Sequence, residues 1–515
     1  MKKRLVISMI FLFQAVSFFA QEQKVAEFMI ERAKTDNQTM HHLDVLTNRI
    51  GGRLIGSYAY ENATHWVASQ LEKWGLEVEI QEVGELPVGF DRGPWFGKML
   101  DGDGMYLHFA TPSYTSGTKG VQRGHVVAEP KTQAQFDRMK GKLKGAWVLI
   151  TGTNNGWPID YSAQGDSLRQ VVIAKNEITQ RYNDSITRLN RENPNRTPQA
   201  LKDLDETPAL FYKEMREAGI LGIIQSSAVP IRALYDRRNV YDMDFDNLPD
   251  CPDIKLDENQ YKIIAQKVAE RQYFQLEFDI RNHFRPGPIK YHNVFGIIRG
   301  SEFPDEYVMS GGHLDAFDVA TGAVDCGTGV APNLEAARLL MLAGAQPRRT
   351  IIFCFWAGEE FGLLGSQYWV EQNEEKWPRI SNYFNRDGGP VVANSLTVPP
   401  AMFEDFKQAT ALLNDINPDF PFTLLEREGD PPSRPTQAGS SDHAYFAMNG
   451  VPVISFGTAD PKGYDFNYNE IWHTERDLYN MSIPDYMDHT SIVTAIVVYN
   501  LANLDRILSR EGLYK

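Results

Sequence analysis

Three cysteines in 515 residues, Cys251, Cys326 and Cys354, are too few for a disulfide framework, so stability must come from apolar cores. Basic residues are also scarce, 52 against 67 acidic, giving a formal charge of −15. That balance offers nothing to a nucleic acid or an anionic membrane surface. Long apolar runs are missing too. Beyond the N-terminus nothing approaches the ~18 consecutive apolar residues of a membrane span, so none is expected in the mature chain.

The N-terminus itself reads as an address. Lys2, Lys3 and Arg4 precede an apolar stretch from Leu5 to about Ala20, and polar "QEQK" follows. This is the layout of a secretory signal over residues 1–20, which predicts export to a periplasmic or extracellular space. In such a compartment a free thiol is poorly suited to carry chemistry.

At 515 residues the chain is too long for one core and suits two or three domains. Ala63, Trp66, Val67, Leu71 and Trp74 recur at helical spacing, and "LEVEIQEV" alternates as a strand. Residues 88–116 lack clear periodicity, and 160–205 read as a long polar excursion. Later, strands are expected at 292–298, 306–311, 350–356 and 451–456, with helices near 332–344, 362–373, 400–414 and 485–508. Strand–helix alternation of this kind predicts an α/β fold, a central sheet with helices on both faces. The simplest organisation splits that domain between residues 22–110 and 285–515, with a smaller domain inserted at 117–284.

Residues with metal-binding chemistry gather at the predicted strand ends. "VMSGGHLDAF" supplies His313 and Asp315, and "GAVDCGTG" supplies Asp325 before a helix whose first position is expected at Pro332. Glu359 and Glu360 end the apolar run "IIFCFW", Asp387 lies in "YFNRDGG" and His473 in "YNEIWHTERD". Ligand sites of open α/β sheets lie at the carboxyl ends of the strands. Imidazole with carboxylates suits Zn²⁺ or a similar first-row ion, and a pair of ions sharing a carboxylate can activate water. Neither a P-loop nor a dinucleotide fingerprint accompanies the set. Taken singly, each residue is as readily a cap or a solvated loop side chain; their joint occurrence points to a metal hydrolase.

"GGHLD", "GAVDCGTG" with its Asp twelve residues after the His, "WAGEEFGLLGS", an Asp 27 residues past the second Glu, and "SSDHAYFAMNGVP…HTERD" resemble the M28 family of zinc peptidases. The likeness spans 285–515, and "GGRLIGSYAYENATHWVASQLEKWGL" resembles the family's N-terminal segment. "GKLKGAWVLITG…MREAGILGIIQSS" resembles a β-rich protease-associated domain. The resemblance implies a mixed, mostly parallel sheet and two Zn²⁺ ions per subunit, with a peptide as substrate. His313 and Asp387 would hold one ion, Glu360 and His473 the other, and Asp325 would bridge them. Glu359 would be the general base, and Asp315 would hydrogen-bond the free ring nitrogen of His313. The implied activity is an exopeptidase of short peptides, first of all an aminopeptidase. The alternatives are a dipeptidase or carboxypeptidase-like enzyme, a single-zinc glutaminyl cyclase and an inactive binding homologue. A carboxylate-recognising enzyme would need a cationic anchor, for which Arg386 and Arg434 are the candidates. Cys326 stands where many relatives carry Asp or Asn, and is expected to point away from the metals. His443 is not expected to be a ligand. The oxyanion-assisting Tyr of some relatives is replaced by Ala438.

Overall fold

The computed structural model describes residues 23–102 and 104–515, so the expected signal segment lies outside the described residues. The chain forms two compact units. The first takes the chain up to Glu85, then Lys290–Trp472 and Arg476–Lys515; the second takes Leu86–Ile289 and His473–Glu475. Residues 86–110, expected with the first unit, belong to the second. Trp95–Met99, Met105–Tyr106 and Phe109–Ala110 are strands of its eight-stranded sheet.

The sheet of the first unit takes β1 (Glu77–Asp91, in this unit up to Glu85), β2 (His283–Ile298, in this unit from Lys290), β3 (Phe303–His313), β4 (Arg349–Trp356) and β5 (Ile380–Asn385) in the order β1-β2-β4-β3-β5. β2 meets β4 antiparallel, while β3 runs parallel to both β4 and β5. Every residue of β4 is buried, which its unbroken apolar run requires of a strand covered on both faces. One face packs Phe295, Ile297, Met309, Ile352, Cys354 and Trp356 against Trp369 and Val370 of helix α3 (Leu364–Gln372). On the other lie α2 (Thr328–Leu342) and α4 (Pro484–Asn503), with Ser310 of β3 donating to Asn333 of α2 at 2.6 Å. The chain is thus a mixed α/β protein with helices on both faces of its sheet.

Two expectations need correcting here. Residues 451–456 form no strand: Pro452, which has no N–H to give a ladder, only accepts from Tyr383 N, and Ile454 bonds the side chain of Asn382. Helix α2 begins four residues before Pro332, so that proline lies inside it. The Thr328 carbonyl that an N–H at 332 would have engaged accepts from Arg386 Nε at 3.1 Å instead.

The second unit centres on four parallel strands, Gln122–Ala128, Ala146–Thr153, Gly222–Ser227 and Asp253–Asp257, over a core that includes Trp147, Leu276 and Phe278. The polar stretch 160–205 carries a 30-residue helix, Ala163–Glu192. Its inward stripe includes Arg169, Asn176 and Asn183 beside Ile173 and Ile186, so apolar periodicity does not reveal it.

Candidate metal centre and active site

Register fixes where the site lies. His313 at the end of β3 stands level with Trp356 at the end of β4, and Gly311 with Asn385 at the end of β5. The three parallel strands therefore stop together, and His313, Glu359, Glu360 and Asp387 leave them on one edge of the sheet. Asp325 joins them from the irregular turn before α2.

His313 is fully buried, and its Nε2 makes no hydrogen bond. Carboxylate oxygens of Asp325, Asp387 and Glu359 lie 3.2, 3.6 and 4.0 Å from that nitrogen. Among the described residues, two groups of candidate ligand atoms fall within 4.8 Å of one another: His313 with Asp325 and Glu360, and His313 with Cys326 and Asp387. His313 belongs to both. Burial opposes protonation of its ring, yet Cys326, Glu359, Asp387 and Asp315 together raise its proton affinity well above the ordinary value. Burial likewise pushes the Glu359 carboxyl well up; His313 opposes the rise, while Glu360, Asp387 and Asp442 add to it. So much negative charge around one buried imidazole calls for cations, and the oxygen and nitrogen donors fit Zn²⁺ or a similar ion.

Asp315 has a different task from the one expected. The ring Nδ1 of His313 bonds the backbone carbonyl of Asp315 at 2.9 Å, whereas the Asp315 carboxylate lies 3.6 Å away, beyond hydrogen-bond range. That carboxylate accepts the amides of Glu359 at 3.1 Å and Glu360 at 3.2 Å. One buried acid thus holds the backbone from which both glutamates project. Asn293 of β2 closes the same turn, accepting from Ala357 N at 2.9 Å and donating to Gly365 O at 3.0 Å.

Cys326 does not point away from the cluster. Asp325 is extended (φ −109°, ψ 98°) but Cys326 is neither helical nor strand-like (φ −115°, ψ 34°), so the alternation that separates neighbouring side chains along a strand does not apply. The peptide bond between them is cis. Its Sγ donates to Arg386 O at 3.1 Å, and burial pushes the thiol up to about 12. Gly312 and Gly329 make room for it. A Cβ at 312 would stand 2.6 Å from Arg386 O and 3.1 Å from Sγ, and one at 329 would overlap both atoms.

His473 is in neither group of candidate ligands. It has left-handed dihedrals (φ 59°) and lies in the segment 473–475 of the second unit, where Thr474 bridges Arg232 and Glu475 N donates to Ile231 O. Of the two candidate anchors, Arg386 is not available to a substrate carboxylate. Arg386 is buried and donates to the carbonyls of Thr328, Gly389 and Val391. Arg434 is exposed and stands beside Gly450, whose carbonyl accepts from Arg510 together with those of Trp377 and Ile380.

Three contributors escaped sequence reasoning although their motifs were in view. Asp442, in "SSDHAYF", is fully buried and pushed up to about 7 by that burial, among His313, Asp315 and Asp387. Asp477, in "HTERD", bonds the turn of Asp325. Arg53, in "GGRLIG", bonds the carbonyls of Leu314, Thr321 and Gly322.

Residues 293–498 match the model of peptidase family M28. Mouse carboxypeptidase Q is 23% identical over 502 residues, covering 96% of this chain and 92% of that protein. The structure of a peptidase M28 precursor from Shewanella amazonensis SB2B aligns with a TM-score of 0.56 at 19% identity, over 95% of this chain and 98% of the other. That of BSAP, a zinc aminopeptidase from Bacillus subtilis, aligns with a TM-score of 0.50 at 18% identity, over 94% and 98%. Both structures share the fold. With the ligand cluster lying inside the matched segment, residues 293–498 form a peptidase family M28 domain, and the chain is a metallopeptidase.

Proposed function

We propose that the chain is an exported exopeptidase of short peptides that works with two Zn²⁺ ions and releases residues from a free amino terminus. The observation that carries this reading is the buried His313 Nε2 with three carboxylates within 4.0 Å, at the level ends of three parallel strands. In this reading His313 and Asp387 hold one ion, Glu360 and His473 the other, and Asp325 serves both. Cys326, whose Sγ is hydrogen-bonded to Arg386 O, is left out of the set. The second unit is, in the same proposal, an insertion of the protease-associated kind.

Bound at that position, two divalent ions supply a water of lowered pKa and a polarised scissile carbonyl. Glu359 takes the proton of the attacking water. The same carboxyl can then return that proton to the leaving amine. Asp315, by fixing both glutamate amides, keeps the base and its neighbour aimed apart. His313 keeps Nε2 as its free nitrogen because Nδ1–H is committed to the Asp315 carbonyl.

Arg386 is committed to three backbone carbonyls, which removes one of the two candidate anchors for a substrate carboxylate and favours recognition of an amine. The name of the mouse relative, a carboxypeptidase similar over almost the whole chain, favours the opposite polarity. A panel of free, N-blocked and C-blocked dipeptides, offered with and without chelator, separates the two. Free and C-blocked peptides should be cut and N-blocked ones spared, with activity lost on chelation and restored by Zn²⁺. Cleavage of N-blocked peptides at the rate of free ones would overturn the aminopeptidase reading. Metal counting addresses the cyclase, and turnover addresses the inactive homologue.

A further inference from the structure

The backbone of residues 321–325 follows no regular pattern, yet its polar groups are partnered from two sides. Arg53, fully buried, donates Nη1 to Thr321 O at 2.9 Å and Nη2 to Gly322 O at 2.8 Å. Asp477, 5% exposed, takes the amides: its Oδ1 accepts from Val324 N at 2.5 Å and its Oδ2 from Asp325 N at 3.3 Å. The Asp477 carbonyl accepts from both Thr321 N and Thr321 Oγ1, at 3.1 and 3.2 Å. Thr328 Oγ1 closes the far side on Val324 O at 2.7 Å.

We propose that Asp477 is a positioning residue for Asp325, acting through the two amides that lead into that ligand. The inference rests on the reading of Asp325 as the shared metal ligand. Two features single out Asp477. Its carboxylate spends one oxygen on each amide, while the hydrogen bonds of Arg53 go to backbone carbonyls, so the pair is not simply a buried ion pair. Val324 and Asp325 are 1% and 4% exposed, so water cannot stand in for the lost acceptor. A carboxylate that must meet two ions tolerates little rotation of its own backbone, and those amides set that rotation. The geometry of Asp325 is thus written partly at position 477, within the motif that also carries His473.

The test compares Asp477→Asn and Asp477→Glu with the unaltered protein. Zinc dissociation constants come from competition with a chromophoric chelator, coordination from the visible spectrum of the Co²⁺-loaded protein, and fold from melting of the chelated protein. Asn replaces one acceptor by a donor facing an N–H; Glu keeps the charge but moves both acceptors by a methylene. Zinc binding should weaken about 10-fold or more in each, the range for partners that orient a metal ligand, and the Co²⁺ spectrum should shift. If Asn leaves the chelated protein unfolded, the Glu variant decides. Zinc affinity within about twofold of the parent, with an unchanged spectrum, would overturn the inference even if melting fell, because a merely structural role predicts that pattern. If the parent itself binds no zinc, the reading of the site fails, which is a separate outcome.

Discussion

Replacing Asp315 with Asn distinguishes its observed hydrogen bonds from the role its sequence position suggests. The side chain is fully buried and its two oxygens accept one amide each, from Glu359 and Glu360. Asn retains one acceptor and turns an NH₂ group toward the other amide, leaving one buried N–H unpaired against a donor. An orphaned buried group of this kind costs about 1–3 kcal/mol. Urea unfolding of the chelated protein should therefore show a lower midpoint at unchanged m, equivalent to about 1–3 kcal/mol. The His313 ring should keep its tautomer, because Nδ1 bonds the carbonyl of residue 315 and not its carboxylate. Nitrogen-15 shifts of labelled histidine read that directly. A stability loss below about 0.5 kcal/mol, the scatter of neutral substitutions, would refute the account, as would a change of His313 tautomer.

Glu359→Gln should keep its metals and lose at least about a hundredfold in turnover, while Glu360→Gln should lose metal first; metal analysis beside single-turnover kinetics checks both. The Asp442 carboxyl, pushed by burial from 3.8 to about 7, favours a proton in the folded state. Its contribution to stability is thus fully present below pH 3.8 and lost as pH rises through about 7. In the chelated protein, Asp442→Asn should be more stable than the parent at pH 8, with that advantage gone by pH 4; equal gains at both pH values in denaturant titrations would contradict the assignment.

The parallel heart of the first unit was legible because the short β-branched and aromatic run Ile351–Trp356 reads as a strand covered on both faces, and candidate ligands gather just past such strand ends. What was not legible depends on backbone atoms that a sequence does not display. The task of Asp315 turned on which amides face its carboxylate. The direction of Cys326 turned on dihedrals of an irregular turn, and the start of α2 on Arg386 accepting the role of partner to the Thr328 carbonyl. The helix Ala163–Glu192 was hidden for another reason. It anchors through Asn176, which bonds Asp205 N and O, and Asn183, which bonds Lys202 N and O, so polar pairing replaces the apolar stripe that periodicity detects.

The carbonyl of Arg386 has a consequence for how this site can evolve. The end of β3, the start of α2 and the exit of β5 converge on that one oxygen, with Cys326 Sγ hydrogen-bonded to it and Gly312 and Gly329 closed around both. A methyl group at either glycine would need the volume of atoms that position Asp387 and Asp325. Neutral drift is therefore barred at these two codons. A lineage that changes what it cuts must do so in the loops beyond the strand ends, leaving the junction beneath them fixed.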